Sequence, residues 1–111
     1  MTSETEPDQI NLAPAIFSPD GDGTDDAVLL TIIPGDAGFM ANIRIYDARG
    51  NMIRTLASGI LLGTEAVMAW DGLQNDHVCA EIGLYVIYTE LFNQKGIVKE
   101  YKKVVTLAKK H

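Results

Sequence analysis

The chain has 111 residues, 47% of them apolar and 22% charged, with a net charge of −6. That length suits one domain with its own core, and that composition excludes a disordered chain. The acidic balance argues against a nucleic-acid partner, no apolar run approaches the roughly 18 residues of a membrane span, and the single cysteine, Cys79, excludes an internal disulfide.

The charge is unevenly spread along the chain. Residues 1–43 hold eight acidic residues and no Lys or Arg, whereas Lys95, Lys99, Lys102, Lys103, Lys109 and Lys110 near the end face only Glu100. The polar start MTSETEPDQ (1–9) has no basic segment leading into an apolar one, so it reads as a flexible linker rather than a signal peptide. Residues 10–111 form the expected domain, and a module of a longer protein with its export signal elsewhere is anticipated.

The first apolar stretch, INLAPAIF (10–17), contains Pro14, which is tolerated only in an edge strand or at a bulge. It is followed by FSPDGDGTDDAV (17–28), where Asp20, Asp22, Asp25 and Asp26 crowd around Gly21 and Gly23. Carboxylates held so close repel one another unless a cation lies between them. Calcium takes six to eight oxygen ligands, and Asp20, Asp22 and Asp26 with the Thr24 carbonyl are a suitable set. Such an ion would be structural, a clamp at the entrance to a strand. The spacing overlaps the first half of an EF-hand loop but lacks its distant glutamate and its helices. The same residues also read as a plain turn, because Asp caps local N–H groups and Gly turns easily.

AVLLTII (27–33) is a buried strand by length and branching, closed by Pro34 and Gly35. In ANIRIYD (41–47), Ile43 and Ile45 fall on one face and Arg44 and Tyr46 on the other. DARGN (47–51) turns the chain into MIRTLAS (52–58), which makes a β-hairpin. EAVMAWDG (65–72) is a strand ending in an Asp-Gly turn, and LQNDHVC leads on from it. There His77 is a solvated loop histidine, and Cys79 a small half-buried residue rather than a reactive thiol. GLYVIYTELF (83–92), NQKG (93–96) and IVKEYKKVVTL (97–107) form a last hairpin. Seven strands with turns between them predict an all-β fold, an antiparallel β-sandwich of immunoglobulin type.

Catalytic patterns are thin. Ser3, Ser18 and Ser58 lack a nucleophile-elbow setting, and no glycine loop precedes a helix. Trp70, Tyr46, Tyr85 and Tyr88 admit a sugar-binding face, but aromatic residues inside strand patterns are more commonly core. No enzyme is expected.

Four motifs in order carry a resemblance. FSPDGDGTDD is similar to the SPNGDGxND opening of C-terminal domains on surface and gliding-motility proteins of some Gram-negative bacteria. IRIYDARGNMIRTL, the strand end WDG, and GLYVIYTELF with the closing KKVVTLAKK follow it. Together they resemble the C-terminal sorting domains of the type IX secretion system and the related immunoglobulin-like domain of flagellar hook-cap proteins. The likeness runs from Phe17 to Lys110. Asp20 stands where Asn is common, and LQNDHVCAEIG replaces a Gly-rich connection.

The resemblance implies a non-catalytic module of a larger exported protein, acting in secretion sorting and attachment at the cell surface or outer membrane. Its partner would be the secretion machinery, and the signal would lie on the last strand at Lys102, Lys103, Val104, Val105 and Lys109. Asp71 and Gly72 would be a structural turn. The alternative is a structural or adhesive spacer, stabilised by calcium and packed beside neighbouring domains of the same polypeptide. The lysines themselves also read as the solvated face of an ordinary strand.

Overall fold

A computed structural model describes residues 8–18 and 26–108. Eight strands form two sheets, and no helix occurs among the described residues. They are β1 (Gln9–Ala13), β2 (Ile16–Phe17), β3 (Val28–Ile33), β4 (Met40–Asp47), β5 (Met52–Leu61), β6 (Ala66–Trp70), β7 (Gly83–Phe92) and β8 (Val98–Leu107). The smaller sheet has the order β1-β3-β6 and the larger β2-β8-β7-β4-β5. The β-sandwich of immunoglobulin type is therefore present.

The expected first strand is two strands in two sheets. β1 pairs antiparallel with β3, while β2 pairs parallel with β8 at Ile16–Thr106 and Phe17–Leu107. Pro14 stands at the switch after a cis peptide bond. Having no N–H to give a ladder, it suits the place where the chain leaves one sheet for the other. The sandwich also begins slightly earlier than composition suggests, since Gln9 opens β1 and Asp8 is tied into it.

Strand alternation builds the core. Val28, Leu30 and Ile32 of β3, Ala41, Ile43 and Ile45 of β4, and Tyr85, Ile87 and Leu91 of β7 are all buried. The β3 run is apolar on both faces, yet it is buried on only one. Leu29 stays 48% exposed, because among the described residues no layer covers the outer side of the three-stranded sheet. β5 continues past its expected end to Leu61, through Gly59 at φ +65°, with register shifts against β4. Such bulges twist an edge strand away from further pairing.

One turn chemistry recurs three times. At residues 47–51 the Asp47 N–H donates to the Asn51 carbonyl and the Gly50 N–H to the Asp47 carbonyl, with Gly50 at φ +89°. The Asp47 carboxylate accepts from the N–H groups of Arg49 and Asn51, each at 2.9 Å. Those bonds, led by the one from Asn51, hold its carboxyl below the usual range. Residues 93–97 repeat the pattern with Asn93 accepting from Lys95 and Ile97 and with Gly96 at φ +86°. Residues 74–78 repeat the two backbone bonds, but His77 takes the left-handed position at φ 67°. The histidine is exposed, as is Cys79, which corrects the half-buried placement expected for the cysteine. Leu73 and Cys79 bridge the base of that turn, and backbone pairing leaves the small thiol facing outward.

One buried hydroxyl interrupts the apolar core. Thr89 of β7 is fully buried, and its Oγ1 has no hydrogen-bond partner among the described residues. An unsatisfied hydroxyl costs desolvation without return, and valine has nearly the same shape. Thr89→Val is expected to stabilise the fold by about 1 kcal/mol, read as a rise in the urea midpoint at unchanged slope. A fall in the midpoint would show that the hydroxyl has a partner.

Candidate functional site

β8 is the strand on which the sequence places a partner-binding signal, and its geometry follows from two neighbours. On one side it pairs with β7 without a register break from Gly83–Leu107 to Phe92–Val98. On the other side β2 covers only its last two residues. The N–H groups of Thr106 and Ala108 donate to the Ala15 and Phe17 carbonyls, each at 2.8 Å. Among the described residues, no strand pairs with the same edge between Val98 and Val105.

The predicted signal residues divide between the two faces. Val105 is fully buried and belongs to the core, with Leu107 beside it. Val104 is 57% exposed on the outer face, across from Val86. Lys102 is exposed on that same outer face, with Nζ 5.9 Å from the centroid of the Tyr88 ring. Lys103 shares the inner face with Tyr101 and Val105, yet it too is exposed. A charged residue on the inward register of an edge discourages unwanted strand pairing. Lys109 lies outside the described residues.

The outer face around Lys102 carries the half-exposed aromatics. Tyr46 and Tyr88 meet edge to face with centroids 6.3 Å apart, whereas Trp70 and Tyr85 are core. A shallow depression of about 550 Å³ lies against the β4–β5 turn, lined in part by Tyr46, Val86, Tyr88 and Lys102. The Tyr88 hydroxyl is pushed up to about 12 by its hydrogen bond with the Glu100 carboxylate, aided by burial and that carboxylate's charge. Of the four aromatics considered for a sugar face, only two therefore reach the surface together.

At the other end of β8, three groups converge on one carboxylate. Asp8 Oδ1 accepts from the Gly35 N–H at 2.6 Å, and Oδ2 accepts from the Tyr101 hydroxyl at 2.6 Å. The Lys99 ammonium lies 3.1 Å from Oδ2, and the Asp8 side chain is only 1% exposed. Lys99 also sits over the buried Phe39 ring at 4.9 Å. Burial pushes the Asp8 carboxyl up, but the bonds from Tyr101, Gly35 and Lys99 outweigh it and hold the group below its ordinary value. The same bond, with burial and the carboxylate's charge, pushes Tyr101 up to about 12. Sequence reading missed this group because Asp8 sits in a polar tail and its partner lies 93 residues away.

The acidic loop joins the two sheets. It leaves Phe17 at the end of β2 and reaches Val28 at the start of β3, and both anchors are buried. Asp20, Asp22 and Thr24 lie outside the described residues. Asp26 is half-buried one residue before Ala27 and two before β3. After β6, the Trp-Asp-Gly turn is structural: the Asp71 carboxylate accepts from the Leu73 N–H at 3.1 Å, and Gly72 has φ 84°.

Solved structures with a similar fold include the following two. A domain of PorZ, an essential bacterial surface component of the type IX secretion system of Porphyromonas gingivalis, matches 90% of the chain at 18% identity and a TM-score of 0.53. The chain spans 11% of that protein. CopC from Methylosinus trichosporium OB3b matches 94% of the chain at 17% identity and a TM-score of 0.57, over 96% of its own length. At these identities the likeness is one of fold. No protein-family model and no curated protein matches the chain significantly.

The Asp8 group generates a prediction with a defined pH window. Asp8→Ala leaves Tyr101, Gly35 and Lys99 without their acceptor and is expected to cost about 2–3 kcal/mol at neutral pH. The native carboxyl lies below its unfolded value of 3.8. Its contribution is thus fully present above about pH 4 and is lost as pH falls through the lower native value. Melting curves of the two proteins should differ at pH 7 and draw together in acid. A difference independent of pH would assign the effect to packing alone.

Proposed function

We propose that this chain is a non-catalytic β-sandwich module of a larger exported protein, acting in sorting by a type IX secretion system and in attachment at the cell surface. The observation that carries this reading is the last strand. β8 is held in the sheet by β7 and by Val105 and Leu107, yet it leaves Lys102, Lys103 and Val104 exposed. A strand built this way can be read by a partner without unfolding. The fold shared with a domain of PorZ, itself a surface component of such a system, supports the reading. So does the ordered set of motifs from Phe17 to Lys110. Fold likeness by itself does not establish function, so the claim rests on the strand.

A fusion tests it. The chain is placed behind a fluorescent protein with a general export leader, in a bacterium that has a type IX system. Surface labelling is expected for the wild type and is expected to fall severalfold for the double variant Lys102→Glu/Lys103→Glu. Equal labelling of both, with equal protein levels, would overturn the assignment. It would leave the spacer reading in its place.

The acidic loop enters as a proposal of its own, that it holds a structural calcium ion. The donor set fits a hard cation: three carboxylates and a carbonyl within a connection whose two ends, Phe17 and Val28, are fixed in the core. When bound, the ion would neutralise the repulsion among Asp20, Asp22 and Asp26 and pin the crossing between the sheets. A site with a Kd near 10 µM would stabilise the fold by roughly 2.7 kcal/mol at 1 mM calcium. The expected result is a melting temperature several degrees higher in calcium than in EDTA for the wild type, and no difference for Asp22→Ala. Identical curves for the wild type in both buffers would remove calcium from the proposal and leave an ordinary turn.

A further inference from the structure

The unpaired stretch of β8 has the properties of a docking edge, and the chain's other edges do not share them. β1 is short and ends at Pro14, and β5 is broken by register shifts against β4. β5 is also covered near its start, where the Asn75 N–H donates to the Ile53 carbonyl and the Thr55 N–H donates to the Asn75 side chain. β6 has five residues between Glu65 and Asp71. β8 is ten residues long and straight in register with β7.

Its backbone direction is also defined. In a regular antiparallel pair, alternate residues direct both backbone groups to the same side. The bonds from Thr106 and Ala108 to β2 show that the even-numbered residues face the open side. Val98, Glu100, Lys102 and Val104 therefore offer a row of N–H and C=O groups, over roughly 20 Å of strand. Among the described residues this row has no backbone partner.

The side chains say what could fill it. Lys99 is engaged by Asp8, and Glu100 is exposed on the outward row. Lys102 and Lys103 remain as two consecutive exposed cations, one on each face of the strand. A second copy pairing antiparallel through the same edge would set Lys102 against its counterpart when centred there, or Lys103 against Lys99 when centred on Tyr101, and like charges across a ladder are destabilising. A strand with two consecutive carboxylates set against Lys102 and Lys103 meets opposite charge at both positions and leaves Glu100 opposite a neutral residue.

We infer that β8 accepts an extended acidic segment of a partner protein, which adds as a strand beside Val98–Val104 and places consecutive carboxylates against Lys102 and Lys103. This deepens the sorting reading, and it rests on that reading only in taking β8 as the contacted strand. Backbone bonding would supply the affinity and the two lysines the choice of partner. β2 sets the end of the docking edge, since it occupies the same side of β8 from Thr106 onward.

A capped hexapeptide, Thr-Val-Glu-Glu-Val-Thr, serves as the probe, with its two glutamates changed to lysine as the control. Saturable binding of the acidic peptide to the full chain is expected, with amide exchange slowed at least threefold at Glu100, Lys102 and Val104. Exchange at Lys99, Tyr101 and Lys103, whose N–H groups face β7, should not change. Lys102→Glu/Lys103→Glu should weaken the acidic peptide at least tenfold and admit the lysine peptide instead. Val104→Pro removes one outward N–H without touching the β7 ladder, and it should abolish binding while cooperative melting persists.

Several results would overturn the inference. One is absence of saturable binding, and another is binding that survives Val104→Pro in a cooperatively melting protein. Slow exchange at the three outward amides without peptide would also do so. If it disappears on dilution, a second copy is the occupant, and if it disappears on removal of residues 1–7, the chain's own acidic start is. None of these outcomes alters the surface-labelling test, so failure here is separable from failure of the sorting reading.

Discussion

Everything in this sandwich depends on Trp70 being held between the sheets. Its ring lies 5.4 Å from Phe17 and 5.3 Å from Tyr85, centroid to centroid, so one side chain from β6 locks onto β2 and β7 of the opposite sheet. Aromatic rings bury roughly 150–250 Å² each, and tilted pairs add about 0.5–1.5 kcal/mol beyond that burial. Each polar tip in the cluster is satisfied at once. Trp70 Nε1 donates to the Leu73 carbonyl at 2.9 Å, and the Tyr85 hydroxyl donates to the Glu81 carbonyl at 2.6 Å. The two bonds fix both ends of the 73–81 connection to the core. The tyrosine bond to backbone four residues upstream is the corner found at the start of the sixth strand in immunoglobulin-like folds.

That constraint reaches β8 through β2. Phe17 is one partner of Trp70, and Phe17 is also paired with Leu107. The two-residue strand is thus placed by the aromatic cluster rather than by its own hydrogen bonds, which are too few to hold it. Its position decides where β8 is covered and where it is open. The Asp8 group acts at the opposite end, tying the start of β1 to Lys99 and Tyr101 and so to the first half of β8. Between these two fixed points the outer backbone row of β8 has no backbone partner among the described residues.

Much of the fold is legible in sequence because its signals are local. Alternation in ANIRIYD and the turn residues of DARGN and NQKG specify a strand or a hairpin within ten residues. LQNDHVC also reads as a turn, but its kinship with the other two is hidden because His77 stands where they have glycine, although the two backbone bonds are the same. Pro14 signals an interruption, but the sequence cannot say that the chain changes sheets there. The sheet switch is a property of what β1 and β2 each find to pair with, namely β3 and β8. Burial on one face only, as in β3, is likewise decided by which layers exist. The least legible feature is Asp8. A carboxylate in a polar tail resembles any solvated linker residue until a tyrosine and a lysine arrive from the far end of the chain. The lysines of β8 were visible as a group, but their separation onto two faces becomes meaningful only once the open edge is known.

The acidic loop and the terminal strand, which look unrelated along the chain, meet at β2. The loop begins one residue after Phe17, and the Phe17 carbonyl accepts from the Ala108 N–H just past the end of β8. The bonds from Thr106 and Ala108 set the register of β2 on β8, and the Phe17 ring against Trp70 sets its depth in the core. The boundary between the covered and open parts of β8 follows from that packing, because the strand that draws it is anchored by a buried ring rather than by the length of its own ladder.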